Sequence, residues 1–339
     1  MSIVAHATTS SRIGVTLIAL TAVALAAAPL WASQLTLRLL AEMFTFIVLA
    51  SLWNLLAGYA GLVSVGQQAY VGLGGYLLFG LAMFGGVPPV LAILIAGPVS
   101  AIIAIPVAAL MFRLRGAYFA IGTWVMAEVF RLVASQVAPL GGGSGISLPA
   151  SIILAMAKTR TAREYEIYWL ALALMAVVLG TIVLLLRSRH GLALTAIRDN
   201  ELAAQSNGVD VRRLKLAVYL LTAFGTGMAG ALIFLMKLRI SPDTAFSVND
   251  WTAFVIFIVV IGGIGRIEGP IIGAIIFFVM RQTLSDLGSV YLLIMGFVAI
   301  VVMLAAPKGL WGLVAERFGW QALPLQRRLV LPTEAGGKR

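Results

Sequence analysis

The sequence predicts an all-α membrane protein of about ten transmembrane helices, and three observations carry that expectation. Hydrophobic residues make up 61% of the 339 and charged residues only 11%, with a mean hydropathy of +1.03, whereas a soluble domain is about a quarter charged. Apolar runs close to the ~20 residues that cross a hydrocarbon core recur along almost the whole length. The basic residues that bring the formal charge to +11 fall between those runs. They form no aromatic-studded basic face, so they read as topology signals and exclude a nucleic-acid partner.

The expected spans are Ile13–Trp31, Leu35–Leu56, Gly66–Gly85, Val90–Phe112, Ala117–Val137, Ile167–Leu186, Leu216–Met236, Trp251–Ile264, Pro270–Leu284 and Val290–Ala306. The first follows Arg12 and ends in small residues, as a signal peptide does, but it is long enough to span and reads as a retained helix. The eighth and ninth are short, which fits a tilted or broken course. An N-terminus in the cytoplasm places Arg113, Arg115, Arg187, Arg189, Arg198, Arg212, Arg213, Lys215, Arg266 and Lys308 on the inner side and fewer cations, such as Arg38, Lys158 and Arg239, outside. That asymmetry obeys the positive-inside rule and puts both termini in the cytoplasm. The expected organisation is one polytopic unit over residues 1–312, with a cytoplasmic loop at 187–215, and a basic cytoplasmic tail over 313–339. Part of that tail is amphipathic enough to lie on the lipid surface.

A polar loop as long as Arg187–Lys215 is unusual among short turns and implies a contact. Within it Leu194–Ser206 reads as one short helix that stops at Gly208, with Arg198, Asp199, Asn200 and Glu201 at its centre. Glycines three or four apart, at Gly262, Gly265, Gly269 and Gly273 and again at Gly72 and Gly75 with Gly80 nearby, let helix backbones approach closely or break. With Gly61, Gly66 and Gly263 they are the packing or gating candidates. Two glycine segments, Gly58–Gly66 and Gly262–Pro270, resemble each other weakly, as an internal repeat would. Polar residues inside spans need a reason. Asn54, Ser64, Gln67, Gln68, Tyr70, Tyr118 and Thr123 are candidates to line a translocation path, while Glu128 and Arg131 are spaced to pair on one helix.

The chain has no cysteine and only His6 and His190, so thiolate chemistry is excluded and neither a metal site nor a general acid–base site has a plausible residue set. It also lacks a G-x-x-x-x-G-K-[ST] phosphate loop, so it is not expected to be an enzyme or to bind a cofactor, and any ATP must be used elsewhere.

The string Glu201-Leu202-Ala203-Ala204-Gln205-Ser206-Asn207-Gly208 resembles the cytoplasmic E-A-A-x-x-x-G motif of bacterial ABC importer permeases. Ala196-Ile197-Arg198-Asp199-Asn200 resembles the A-I-R-x-N of the branched-chain amino-acid permeases, and four further segments follow that family in order. These are Gly58–Tyr70, with Gln67 in place of the family's histidine, then Arg113–Ile121, Ile261–Ala274 and Pro307–Gly312. The resemblance implies an ABC importer permease fold in the bacterial inner membrane, with a coupling helix whose Arg198, Asp199, Asn200, Glu201, Ala204 and Gly208 meet an ATPase. It implies as partners a second related permease, two cytoplasmic ATPases holding ATP and Mg, and a soluble substrate-binding protein. An ion-coupled secondary transporter, resting on Glu128, Arg131 and Arg281, is the alternative.

Overall fold

The computed structural model describes residues 3–5, 20–284, 287–288, 290–306, 308–318 and 328–330. Its helices are α1 (Gln34–Asn54), α2 (Gln67–Phe84), α3 (Pro89–Met111), α4 (Ala117–Ser135), α5 (Arg160–Arg187), α6 (Arg189–Asp199), α7 (Glu201–Ser206), α8 (Val211–Lys237), α9 (Phe254–Gly262), α10 (Glu268–Leu284), α11 (Val290–Ala305) and α12 (Gly309–Phe318). Short helices at Ala28–Trp31, Ala150–Met156 and Pro242–Ala245 complete the connections.

Seven segments among the described residues are long and apolar enough to cross a membrane: Gln34–Tyr59, Pro89–Met111, Ala117–Ser135, Arg160–Arg187, Val211–Lys237, Pro242–Gly262 and Val290–Leu313. Two more of the expected spans correspond to α2 and α10, of 18 and 17 residues. The first expected span lies partly outside the described residues, which show helix at 20–26 and at Ala28–Trp31. The eighth begins earlier than expected. A π-helical turn at Asn249–Ala253 leads into α9, and the whole run reaches back to Pro242. Asp243, Asn249 and Asp250 disguise that stretch as a loop, yet Asp243 lies in the first turn of Pro242–Ala245 and Asn249 and Asp250 in the first turn of Asn249–Ala253, positions where polar side chains are favourable.

α1 and α8 form the centre, each with 78% of its apolar stretch buried, whereas α11 is the most peripheral at 12%. α8 packs against α2 and α3, and α1 against α5. Glycine decides how close α2 and α8 come. A Cβ at Gly74 would stand 2.0 Å from Gly227 O, and one at Gly230 would stand 2.2 Å from Val71 O, so only backbones meet there. Of the spaced α2 glycines expected to serve packing, Gly72 and Gly75 face the rings of Phe246 and Phe234, while Gly80 faces open space. Two-stranded pairings tie Ile146–Ser147 to Arg239–Ile240, and Ile3–Ala5 to Arg328–Val330.

Candidate functional site

The polar loop after α5 is shaped by three consecutive helix caps. Ser188 Oγ accepts the His190 N–H at 3.1 Å and opens α6, Asn200 Oδ1 accepts the Ala203 N–H at 3.0 Å and opens α7, and Asp210 Oδ1 accepts the Arg213 N–H at 3.0 Å and opens α8. Each cap satisfies a donor the helix start would otherwise leave unpaired, an effect of about 0.5–2 kcal/mol apiece. The single helix expected over Leu194–Ser206 is therefore two. Asn200 takes an extended conformation (φ −158°, ψ 105°) to cap α7, so Arg198, Asp199, Asn200 and Glu201 stand at a break and not at a helix centre. Gly208, at φ +84°, makes the left-handed turn that ends α7.

This loop is folded, not draped. Ile197, Ala204 and Val211 are buried together in a small cluster, backed by Val209 and Leu214. Lys215 Nζ donates to Glu201 Oε2 at 2.7 Å and pins α7 to the first turns of α8. Two large apolar side chains remain outside on an otherwise polar surface: Leu192 is 73% and Leu202 75% exposed. Leu202 lines a groove of about 740 Å³ that is also bordered by Gly61, Arg115, Glu201, Gln205, Arg212 and Lys215.

The two glycine segments that resemble each other in sequence meet in space at this same end. Asn54 Nδ2 donates to Arg266 O at 2.8 Å, and the Gly265 N–H donates to Asn54 Oδ1 at 2.7 Å. A Cβ at Gly58 would stand 2.6 Å from Gly265 N, and one at Gly265 would stand 3.3 Å from Arg198 Nη1, so the loop after α9 is wedged between the end of α1 and the Arg198 guanidinium. Behind it α9 and α10 pack backbone to backbone. A Cβ at Gly262 would lie 1.8 Å from Gly269 O, one at Gly269 2.2 Å from Gly263 O, and one at Gly273 1.9 Å from Ile258 O.

The residues expected along a path divide in two. Asn54, Ser64, Gln67, Gln68, Tyr70 and Thr123 are buried within the chain. Gln68 accepts a hydrogen bond from Thr252, Thr123 Oγ1 accepts the Val65 N–H at 3.0 Å, and Tyr70 Oη lies 3.0 Å from Tyr219 Oη. Ser64, Gln67, Tyr70, Tyr219, Thr222 and Thr226 surround a cavity with about 10 Å³ for a water centre. Two of these lining residues, Gln67 and Thr226, carry buried oxygens, Oε1 and Oγ1, with no partner among the described residues. Tyr118 alone of the expected set faces outward, at 75% exposure. Of the glycines, Gly66 packs on Thr123 O, while Gly61 and Gly263, at φ +68° and +127°, serve turns.

Several polar partners were not anticipated. Tyr219, Thr222 and Thr226 recur at helical spacing on α8, a signal the sequence does carry. Glu42 pairs with Arg281 Nη1 at 2.7 Å, and Asp243 with Arg131 Nη1 at 2.9 Å; both contacts join residues far apart in the chain. No group of three or more metal-ligating side chains occurs among the described residues.

A bundle of apolar helices around a glycine-packed centre, with a folded polar loop gripping one end, is the architecture of a multi-pass permease. The chain belongs to the family described as branched-chain amino acid transport system, permease component, whose profile matches residues 35–307. It is 31% identical over 310 residues to the high-affinity branched-chain amino acid transport system permease protein LivM of Escherichia coli (strain K12), covering 83% of this chain and 71% of that protein. Identity to the LivM of Salmonella typhimurium is 30% over 287 residues, covering 78% of this chain and 67% of that protein. A probable LivH permease of Methanocaldococcus jannaschii is 29% identical over 144 residues, 40% of this chain and 44% of its own. No solved structure matches the chain.

Proposed function

We propose that this permease imports branched-chain or related amino acids as one of two membrane subunits of an ATP-binding-cassette importer, with α6 and α7 as its coupling element. The observation that carries the reading is the loop itself. A folded polar segment fixed to the bundle by Ile197, Ala204 and the Glu201–Lys215 pair still presents Leu192 and Leu202 outward. An exposed apolar pair on a rigid polar support suits docking to a separate protein. The chain carries no phosphate loop, so that protein is a cytoplasmic ATPase holding ATP and Mg.

Arg115, Arg212 and Lys215 around the groove, with Arg198 and Arg266 nearby, make this the basic end and hence the cytoplasmic one in the inner membrane. The pairing of Ile3–Ala5 with Arg328–Val330 supports both termini on one side. A soluble binding protein delivers substrate at the opposite end, and a second, related permease completes the path; the likeness to both LivM and LivH proteins supports such a pairing. ATP binding on the ATPases moves α6 and α7 and so favours one of two access states.

The test is leucine uptake into vesicles holding the assembled importer. Glu201→Lys sets two cations face to face at Lys215, and Gly208→Pro cannot adopt φ +84°. Both variants are expected to stay in the membrane and to lose ATP-driven uptake; retained uptake in both refutes the coupling role. Uptake that survives ATP depletion but collapses with the ion gradient marks a secondary transporter instead.

A further inference from the structure

α4 buries Phe119, Thr123, Ala127 and Ala134 on one side. Its opposite arc exposes Ile121, Trp124, Val125 and Leu132, and Glu128 stands at the centre of that arc, 46% exposed. Glu128 precedes the helix end at Ser135 by about seven residues, or about 10 Å at the α-helical rise. Even paired with Arg131, a charge this far inside a span is costly against hydrocarbon, and such residues face a bundle interior or a water-filled cavity as a rule. α11 shows the contrast, exposing Leu293, Phe297, Ile300 and Leu304 without a charge, as a lipid-facing helix does.

The chemistry at the outer end of this arc is specific. Arg131 Nε donates to Glu128 Oε1 at 2.8 Å and its Nη1 donates to Asp243 Oδ1 at 2.9 Å, while Nη2 also reaches Glu128 Oε1. One cation thus lies between two carboxylates, with a net charge of about −1 at neutral pH. Glu128 Oε2 and Asp243 Oδ2 accept nothing from the described residues, and the guanidinium keeps two of its five N–H donors free. Free acceptors beside free donors match the two charges of one amino-acid head group, its ammonium and its carboxylate. Toward the other end of the helix, Ile121, Trp124 and Val125 offer apolar surface for a branched side chain.

We propose that Glu128, Arg131 and Asp243 form a weak receiving site for the zwitterionic head of an amino acid entering along α4. The inference rests on the import function proposed above and names the residues that would meet the substrate. The site is weak because its groups already satisfy one another and are open to water, which suits passage and not storage.

The experiment measures radiolabelled leucine uptake per ATP hydrolysed by the reconstituted importer, with binding protein saturating. Glu128→Gln and Asp243→Asn are each expected to lower that ratio at least tenfold, with part recovered in Glu128→Asp. A ratio within twofold of the parent protein in both, or a loss that only follows a fall in melting temperature, leaves the trio a helix tether and overturns the site. Should these variants fail to assemble, the absence of native cysteine gives a second measurement. Ile121→Cys and Val125→Cys are expected to react with a charged thiol reagent, more slowly when leucine is being transported, while Leu293→Cys and Phe297→Cys stay inert. Equal inertness at all four positions also overturns the proposal. A parent importer that takes up no leucine overturns the proposed function, whereas parent uptake with unaltered variants removes this site alone.

Discussion

Asn54 offers the sharpest separation between a packing residue and a path residue. It is 2% exposed, and its amide bonds both the Gly265 N–H and the Arg266 carbonyl, joining the end of α1 to the loop after α9. Asn54→Ala leaves one backbone donor and one backbone acceptor unpaired. At about 1–3 kcal/mol per buried unsatisfied group the cost is about 2–6 kcal/mol. Gly265 and Arg266 are only half-buried, so water reaches them and the lower end, about 2–3 kcal/mol, is expected. Asn54→Asp keeps the acceptor for Gly265 but sets a buried carboxylate oxygen against the Arg266 carbonyl, so it should cost at least as much as alanine. The assay is reversible unfolding of the purified protein in mixed micelles, read beside leucine uptake by the assembled importer. Because the same loop rests against Arg198, uptake should decline together with stability. An alanine variant within about 0.5 kcal/mol of the parent, the range of an inconsequential substitution, that nonetheless loses transport would refute this account and make Asn54 a path residue.

Three further outcomes follow from the geometry. Gly262→Val puts a branched side chain where even a Cβ stands 1.8 Å from Gly269 O, and the protein should fail to accumulate in membranes on immunoblotting, whereas Gly80→Ala, facing open space, should be neutral. Leu202→Arg should change unfolding by less than about 0.5 kcal/mol because the side chain is exposed, yet abolish co-purification of the ATPase. Arg281→Met leaves Glu42 without its partner inside the bundle and should destabilise by about 1–3 kcal/mol, less than for a fully buried pair because both side chains are part-exposed; adding Glu42→Met should recover much of the loss in the same unfolding assay.

Much of this protein is legible in its sequence, for reasons that differ from element to element. Gly262, Gly269 and Gly273 announce a close helix approach because small residues let backbones come together, and the structure places all three at the α9–α10 contact, where even a Cβ would collide. The Glu128–Arg131 pair is readable because three residues along a helix bring side chains together by local geometry alone. Asp243 as third member is not readable, since it comes from another element. The break at Asn200 was hidden by good helix formers on both sides; only the gain from capping α7 at Ala203 decides it.

The amino-acid sequence alone determined the solvent, the helical class and the family, because hydropathy, run length and motif order are properties of the chain read in one dimension. Tertiary structure alone decided which polar residues are spent inside the bundle and which face outward. Asn54, Gln67 and Gln68 look as available in sequence as Tyr118, but the Asn54 oxygen, the Gln67 amide nitrogen and the Gln68 oxygen are bonded to Gly265, Leu49 and Thr252 from other parts of the chain, while Gln67 Oε1 stays unpartnered. A hydrogen-bond partner distant in sequence leaves no periodic trace, so whether a buried polar group is free to meet a substrate is settled only when the helices come together.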